Sequence, residues 1–429
     1  MTRDTIRVTV WTPLEGFDRL LDMFATHFNN RFQFYGRKLV LSHHPLGWFG
    51  DTASDVTRAV EMDETDKSFA GVTPPGQSRF YKEVARRHLI LTMVSWVTNV
   101  VHTEKELAKW HPYTWQYTMA GDRYLSNIGE WICKRIAGKR AKYARSPLNS
   151  QKRRFAVHLQ KTPFAGESAG TGSLRAALSR CGATPKRTSV NDSGGGFAGS
   201  FTEAQADTEI TRMRRAKVNS VICICPWYEE SMLTNAANRA GYVPEWITTA
   251  HHPPWSGVPA SFPSPNGDRR FGLLPNPMHV PLQREPGFQA LRDAGGRATG
   301  ADMTVWAGTG HDAHTALRMY RQMLLLASGI QMAGPKLNPQ TFGAGLQRTR
   351  FPNPPDPRRP GKVGFIDGDH SMINDAAQVY WDRKTRGHYV DESGGTTCFL
   401  ERGKRYKLGR WGKARGAFFT RPPCFNGSV

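Results

Sequence analysis

The sequence predicts an α/β protein built from two doubly wound parallel sheets, each flanked by helices. Three observations support this fold class: the length of the chain, the alternation of strand-like and helix-like stretches, and the restart of that alternation after a basic segment. The chain has 429 residues, well beyond the size at which one hydrophobic core stops growing, so two or more domains are expected. Repeated βα units of this spacing are typical of parallel sheets.

The first α/β unit occupies the amino-terminal part of the chain. Its strands are apolar runs, and its first helix is indicated by large apolar residues at helical spacing from Phe17 to Phe28. The run 89–94 is continuously apolar, as expected for a strand that a parallel sheet buries on both faces. The predicted strands are 6–11, 38–42, 67–72 and 89–94. The predicted helices are 17–28, 52–61 and 80–85.

The second unit follows a basic cluster and repeats the same alternation. The predicted strands of this unit are 155–159, 220–225 and 245–249, and its predicted helices are 173–181, 203–215 and 231–240. Further along the chain, 303–306 is predicted as a strand and 311–332 as a long helix. Residues 253–287 are rich in Pro, Gly and Ser and are expected to be connection rather than core. Residues 352–360 hold five prolines and are expected to form an extended crossing segment.

The composition is that of an ordinary globular protein, with 39% hydrophobic and 22% charged residues. No window approaches eighteen uninterrupted apolar residues, so no segment is expected to span a membrane. The chain passes from Met1 into an apolar strand without a basic region, an apolar signal core or a small-residue cleavage site. An export signal is therefore not expected in the sequence as it stands.

The charge is strongly positive. Lys and Arg number 58 against 36 Asp and Glu, which gives a net charge of +22. Such a balance predicts attraction to nucleic acid or to an anionic surface, and two clusters, 134–154 and 402–415, supply much of it. A solvated basic surface is nevertheless the favoured interpretation, because neither cluster lies in a zinc finger or an RNA-binding sequence motif.

The six cysteines are too few for a disulfide scaffold in a chain of this length, and no pair has zinc-site spacing. Cys223 and Cys225 are two apart in a predicted strand, so their side chains share one packed face, and buried structural thiols are expected. The other cysteines could pair in an exported protein, but the sequence leaves their partners open. They are Cys133, Cys181, Cys398 and Cys424.

No catalytic or cofactor motif is convincing. Residues 308–313 match a loose G-x-G-x-x-A dinucleotide pattern, but the acidic residue expected about twenty positions later is missing. Neighbouring histidines occur at 43–44, 251–252 and 311–314 without a visible third ligand. No cofactor and no metal are expected, and nucleophile motifs are also lacking, so the chain is not expected to be an enzyme.

Several stretches resemble the type I periplasmic binding proteins, the substrate-binding components of ABC importers of the branched-chain amino acid receptor kind. These stretches are 28–38, 218–222 and 240–246. The run 324–352 is similar to the longer, actinobacterial-style members. The resemblance implies two lobes joined by a three-segment hinge, with crossings near 111–118, 251–255 and 352–360. One lobe would comprise 1–117 with 252–351, and the other 118–251 with 352–429.

The resemblance also implies where a ligand binds. In the family, two first-lobe loops hold the carboxylate of the ligand through hydroxyls and backbone N–H groups, a chemistry that suits loops opening helices. The matching positions here are Thr73, Gly76 and Gln77 in one loop and Ser95, Thr98 and Asn99 in the next. The second lobe offers aromatic side chains over the ligand, and the matching positions are Phe164, Trp227 and Tyr228.

One position departs from the amino-acid receptors. Where they place a carboxylate that pairs with the ligand ammonium, this chain has Ala250 followed by His251. A buried ammonium without a partner is costly. The sequence therefore favours a small polar, carboxylate, amide or aromatic ligand over an amino acid, with His251 among the contacting residues.

The function that the resemblance implies is a non-catalytic solute receptor, which closes two lobes around a small molecule and presents them to an ABC permease. The implied location is extracytoplasmic, on the cell surface or in the periplasm. The alternative is a cytoplasmic ligand-sensing regulator of the same fold, whose basic face meets a protein or nucleic acid.

Overall fold

The structure is a computed structural model that describes most of the chain. The described residues are 2–12, 17–45, 54–72, 78–93, 102–161, 171–192, 201–225, 227–248, 265–275, 286–294, 312–349, 351–353, 361–365, 368–385, 396–413 and 417–419. No helix among them is both long enough and apolar enough to cross a membrane.

Strands and helices alternate along most of the chain. The strands are β1 Thr5–Thr12, β2 Lys38–Pro45, β3 Ala70–Val72, β4 Ile90–Met93, β5 Thr114–Gln116, β6 Phe155–Lys161, β7 Arg187–Asp192, β8 Ser220–Ile224, β9 Glu245–Thr248, β10 Arg270–Leu274, β11 Phe351–Asn353, β12 Gly361–Val363, β13 Asp375–Asp382, β14 Thr396–Phe399 and β15 Arg405–Lys407. The α-helices are α1 Phe17–Arg31, α2 Ser54–Val60, α3 Ser78–Arg86, α4 Glu104–Lys109, α5 Gly121–Arg135, α6 Thr171–Ser179, α7 Glu203–Arg215, α8 Trp227–Arg239, α9 Pro286–Asp293, α10 Asp312–Ala333 and α11 Pro339–Arg348. A π-helical turn, Glu61–Thr65, continues α2, and short 3₁₀ helices occupy Leu148–Ser150, Gly267–Arg269 and Leu400–Gly403.

The first sheet contains five parallel strands in the order β2-β1-β3-β4-β5. Its two faces are covered by different helices, as the period of two along a strand requires. Val8 and Val10 of β1 pack with residues of α1 and α10, whereas Trp11 packs with residues of α2 and α3. This part of the chain therefore has the doubly wound architecture that the sequence predicts.

The second sheet has the order β14-β13-β10-β9-β8-β6-β7, with β15 also paired to β13. Strands β6 to β10 are parallel, and β13 to β15 extend them in antiparallel fashion. Ile222 and Ile224 of β8 belong to the core that includes α5 and α6, while Val221 and Cys223 face α7 and α8. The second sheet is thus doubly wound and mixed, and its antiparallel extension was not predicted.

Strand β10 lies inside the range 253–287, whose composition predicts a connection. That interpretation is wrong for β10, which is fully buried and pairs with β9 and β13. The strand is short, contains Gly272 and is flanked by sequence rich in Pro, Gly and Ser, so the hydrophobic pattern does not indicate a strand there. The division of the chain placed residues 252–351 in the first lobe, whereas the structure puts β10 in the second sheet.

The two sheets are connected beside β5. Gln116 donates its backbone N–H to His370 (2.8 Å) and accepts from Met372 (2.8 Å). The segment around residue 370 therefore runs alongside the end of β5. The prediction of an extended crossing segment at 352–360 does not hold at its ends. Residues 351–353 and 361–363 pair with each other as the antiparallel strands β11 and β12.

Five of the cysteines that the sequence left unassigned or predicted as free thiols are disulfide-bonded. Cys133 of α5 is bonded to Cys181, which follows α6. Cys223 and Cys225 are buried on one face, as predicted, but they are bonded to each other rather than reduced. Cys398 is also disulfide-bonded.

Candidate functional site

Polar side chains collect at one edge of the second sheet, where β6, β7 and β8 end and α8 begins. His158 and Gln160 share one face of β6 because side chains two apart in a strand point the same way. The parallel register aligns His158 with Ser189 of β7 and Gln160 with Asn191. In parallel α/β sheets this carboxyl edge is where ligands bind, so it is the candidate site of the second lobe.

Glu229 stands at the centre of this edge, in the first turn of α8, with none of its surface exposed. One carboxylate oxygen lies 3.1 Å from His158 Nε2, and the other accepts a hydrogen bond from Asn191 Nδ2 at 2.7 Å. The His158 ring is held in turn by Ser189 Oγ, 2.9 Å from Nδ1. Two strands thus satisfy a carboxylate that would otherwise be costly to bury.

The next carboxylate, Glu230, is neutralised in the same way. Arg270 of β10 donates to both of its oxygens at 2.8 and 2.9 Å, and both side chains are almost fully buried. Such a bidentate pair fixes the arginine rigidly. Neither carboxylate of the first turn of α8 is therefore left to pair with a cationic ligand.

Gln160 and Tyr228 form a neutral pair beside these charges. Gln160 Nε2 donates to the Tyr228 hydroxyl at 2.6 Å, whereas the buried Gln160 Oε1 has no partner among the described residues. Burial, with a smaller contribution from Glu229, raises the pKa of Tyr228 to about 12. Tyr228 is thus a neutral phenol at physiological pH, and Gln160 Oε1 accepts no hydrogen bond from the residues that the structure describes.

Of the residues predicted to bind a ligand, the structure places Tyr228 at this edge. Trp227 opens α8 next to it, but its side chain is outside the described part of the chain. The remaining predicted positions also lie outside the described residues. They are Thr73, Gly76, Gln77, Ser95, Thr98, Asn99, Phe164 and His251.

Sequence reasoning missed His158, Gln160, Asn191 and Glu229. The available signal was the alternation in β6, where His158 and Gln160 interrupt an otherwise apolar strand at a spacing of two. Their convergence with α8 depends on strand order, which brings β6 next to β8. A single sequence does not specify that order.

A second polar cluster, which we call the crossing clamp, lies where the segment around residue 370 passes β5. The Glu104 carboxylate of α4 accepts from the His370 backbone N–H and, at 2.7 Å, from Ser371 Oγ. Arg123 of α5 donates to both oxygens of Asp369, at 2.6 Å each. The crossing segment is therefore fastened to a helix on either side of the junction.

The contacts of the crossing clamp favour an ionised Glu104 and a neutral His111. Burial alone would raise the pKa of Glu104, but the hydrogen bonds from His370 and Ser371 outweigh it and lower the pKa. His370 Nε2 also lies 2.8 Å from His111 Nδ1. Burial, together with the neighbouring His370, lowers the pKa of His111, which favours the neutral ring.

Comparison with known proteins identifies the fold. No protein-family model and no curated protein matches the chain. Among solved structures, a solute-binding protein of an ABC transporter from Rhodopseudomonas palustris, in complex with p-hydroxybenzoic acid, is similar with a TM-score of 0.63 and 12% identity, over 94% of this chain and 98% of that one.

Two further structures have the same resemblance. An amino acid ABC transporter substrate-binding protein from Pseudomonas fluorescens has a TM-score of 0.64 and 12% identity, over 95% of this chain and 97% of that one. A branched-chain amino acid transporter protein from Rhodopseudomonas palustris has a TM-score of 0.59 and 14% identity, over 94% and 97%. The chain thus has the two-lobed α/β fold of the type I solute-binding proteins of ABC transporters.

Proposed function

We propose that the protein is a non-enzymatic solute receptor of an ABC importer, whose two lobes close around a small aromatic carboxylate. The observation that supports it most directly is the carboxyl edge of the second sheet, with its neutral Gln160–Tyr228 pair and its internally paired charges, in a chain with the solute-binding fold. Fold alone does not assign a ligand, so the ligand class is argued from the site.

The paired charges argue against an amino acid. An ammonium group buried between the lobes needs a carboxylate partner, but Glu229 is bonded by His158 and Asn191, and Glu230 by Arg270. In the described part of this edge, both acids are engaged. The sequence beyond β9 supplies His251 where amino-acid receptors supply an acid.

The neutral pair favours an aromatic ligand with a hydroxyl group. In our proposal the carboxylate is held by Thr73, Gly76 and Gln77 in one loop and by Ser95 and Thr98 in the other. The ring then lies between the lobes against Phe164, Trp227, Tyr228 and His251. A hydroxyl on the far side of the ring would donate to Gln160 Oε1, which accepts no hydrogen bond within the described part of the chain.

The disulfide between Cys133 and Cys181 supports an extracytoplasmic location, because disulfides persist in oxidising compartments and are rare in the cytosol. That location suits a receptor that delivers its solute to an ABC permease, and it disfavours the cytoplasmic regulator. The closed pair of lobes would form the surface that the permease recognises.

Calorimetry and solution scattering test the proposal. We expect 4-hydroxybenzoate to bind with 1:1 stoichiometry and to make the protein more compact, and benzoate to bind about tenfold more weakly because one hydrogen bond is lost. The Gln160→Met variant should lose this preference, whereas Gln151→Met, at an exposed glutamine, should keep it. Binding of leucine but not of aromatic acids would overturn the ligand class. If none of these solutes binds and none makes the protein more compact, the receptor function itself is overturned.

A further inference from the structure

Two basic runs of the sequence meet on one face of the second lobe. Residues 131–166 contain no Asp or Glu, and neither do residues 402–429. The structure describes eleven exposed cations in these runs, which together define the basic face. They are Lys134, Lys139, Arg140, Lys142, Arg145, Lys152, Arg402, Lys404, Lys407, Arg410 and Lys413.

Specific contacts bring the two runs together. The Arg135 guanidinium lies over the rings of Tyr406 and Trp411, 5.2 and 5.6 Å from their centroids. The Glu130 carboxylate accepts the backbone N–H groups of Gly409 and Trp411. Because residues four apart share one side of a helix, the turn at 408–410 lies on the side of α5 that also presents Lys134.

The acids near the basic face are already engaged. Glu401 pairs with Arg135 at 2.7 Å, and Glu245 pairs with Arg153 at 2.7 Å. Asp375 pairs with Arg405 at 2.8 Å. Within the described part of the chain, none of the eleven exposed cations forms a salt bridge with an acid. The face is therefore strongly positive even with the Glu130 carboxylate beside the turn at 408–410.

The basic face lies away from the candidate ligand site. Arg145 donates its backbone N–H to Val243, just before β9 begins, and the Lys152 carbonyl accepts from Asn219, just before β8 begins. Residues 140–152 therefore border the amino ends of these strands, whereas the candidate site lies at their carboxyl ends. Contact through the basic face would leave the site accessible.

An exposed apolar side chain distinguishes this face from a simple polyanion-binding surface. Leu408 is 43% exposed, at a tight turn between Lys407 and Arg410. A leucine gains nothing beside a phosphate backbone, but it is stabilised on entering the interfacial region of a bilayer, where flanking lysines meet lipid phosphates. We propose that the basic face binds the surface of an anionic lipid bilayer, with Leu408 inserted.

Vesicle cosedimentation of the full chain tests this proposal. We expect binding to vesicles of phosphatidylcholine with phosphatidylglycerol, no binding to phosphatidylcholine alone, and release by salt. Replacing Lys134, Lys407 and Lys413 together by Glu should weaken binding by at least about a hundredfold, because each lost lysine charge costs about fivefold and the new carboxylates repel the lipid as well. The matched control replaces Lys82, Lys105 and Lys109, exposed lysines beside the first sheet, by Glu and should weaken binding far less.

The Leu408→Ser variant separates a bilayer from a polyanion. We expect it to weaken vesicle binding about tenfold and to leave weak binding to duplex DNA unchanged. Equal loss in the two lysine triple variants, or tight DNA binding with vesicle binding insensitive to Leu408, would overturn the proposal. Circular dichroism and 4-hydroxybenzoate titration of each variant show whether it is folded; the vesicle result does not depend on the proposed ligand, because the face and the ligand site are separate.

Discussion

His102 is a buried residue whose surroundings make the stability of the protein depend on pH. It is 0% exposed, and neither ring nitrogen has a hydrogen-bond partner among the described residues. Tyr81 and Trp110 pack edge-on against it, at 4.8 and 5.4 Å between ring centroids, and the nearest carboxylate oxygen, of Glu106, is 3.9 Å away. Because that separation is too long for a hydrogen bond, packing is what holds the ring in this part of the structure.

This burial makes stability fall in acid. Burial lowers the pKa of His102 from 6.5 to about 3, so below pH 6.5 the unfolded chain binds a proton that the folded protein does not. Stability is then lost as the pH falls from about 6.5 towards 3, by about 2 kcal/mol at pH 5. We expect His102→Phe to remove this part of the loss, measured by urea unfolding at pH 7 and pH 5.

The control for His102 is His88→Asn, because His88 is exposed and asparagine tolerates its positive φ of 59°. It should keep the full dependence on pH. A His102→Phe protein that lost as much stability at pH 5 as the wild type would contradict the assignment.

The ion pair of Arg153 and Glu245 is a second buried charge at the residue scale. Arg153 donates to both Glu245 oxygens at 2.7 and 2.8 Å, and Glu245 also accepts from the Tyr143 backbone N–H and Ser220 Oγ. The pair joins the start of β9 to the segment that precedes β6. Removing one charge would leave the other buried without compensation.

We therefore expect Glu245→Gln to reduce the free energy of unfolding by about 3–5 kcal/mol. The double variant Arg153→Met/Glu245→Gln should recover most of this loss, since the introduced amide oxygen can still accept hydrogen bonds while no charge is buried. Asp207→Asn breaks the exposed pair with Arg239 and should cost less than about 1 kcal/mol. Denaturant unfolding measures all three, and a double variant no more stable than the single would refute the argument.

At the scale of elements, the contact of β9 with β10 depends on a glycine. A Cβ atom on Gly272 would lie 1.9 Å from the Thr248 carbonyl oxygen, which is backbone and cannot rotate away. The two strands join the parallel part of the second sheet to the antiparallel strand β13. The second sheet can therefore be continuous from β9 to β13 only if β9 and β10 approach this closely.

We expect Gly272→Ala to destabilise the protein by about 3 kcal/mol or more, because a backbone must move to relieve the overlap. Gly412→Ala is the matched control, since a Cβ there would meet no atom within 4 Å. Thermal unfolding followed by circular dichroism compares them. Equal midpoints for the two variants would show that β10 yields easily and that the contact is not tight.

Elements with a strong period were predictable from the sequence, and those defined by long-range pairing were not. Helix α7 begins and ends at the predicted residues, Glu203 and Arg215, because its apolar stripe and its Thr202 cap agree. Strand β13 was missed although it is long and buried. It follows proline-rich and glycine-rich sequence, and its antiparallel place beside β10 is decided by distant partners rather than by local pattern.

The site was predictable only as far as the resemblance reached. Tyr228 was predicted from the family resemblance, and it lies in the first turn of α8 with its hydroxyl bonded to Gln160. Its contact with a ligand stays a prediction. Glu229 of α8 is held by His158 of β6 and Asn191 of β7, and Gln160 of β6 is bonded to Tyr228 of α8. Such a network is a property of the assembled sheet, which is why residue types alone did not indicate it.

At the scale of the whole molecule, the crossing clamp couples the two sheets. Glu104 fastens the segment around residue 370 to α4, which follows the first four strands, and Arg123 fastens it to α5, which packs on the second sheet. Within the described part of the chain, this segment therefore links a helix that follows the first four strands to a helix on the second sheet. The hydrogen bonds to Glu104 are to a charged acceptor and are therefore stronger than neutral ones.

Weakening the clamp should make the crossing segment more mobile without unfolding either sheet. We expect Glu104→Gln to speed amide hydrogen exchange at Gln116 and Met372 about tenfold or more, because two charge-assisted hydrogen bonds become neutral. Arg123→Gln should act in the same direction, since it releases Asp369. Glu64→Gln, at an exposed acid that pairs with Arg87, should leave these amides as protected as in the wild type. Unchanged exchange in both clamp variants would mean that backbone pairing with β5 alone holds the segment, and that the two sheets are joined without help from these side chains.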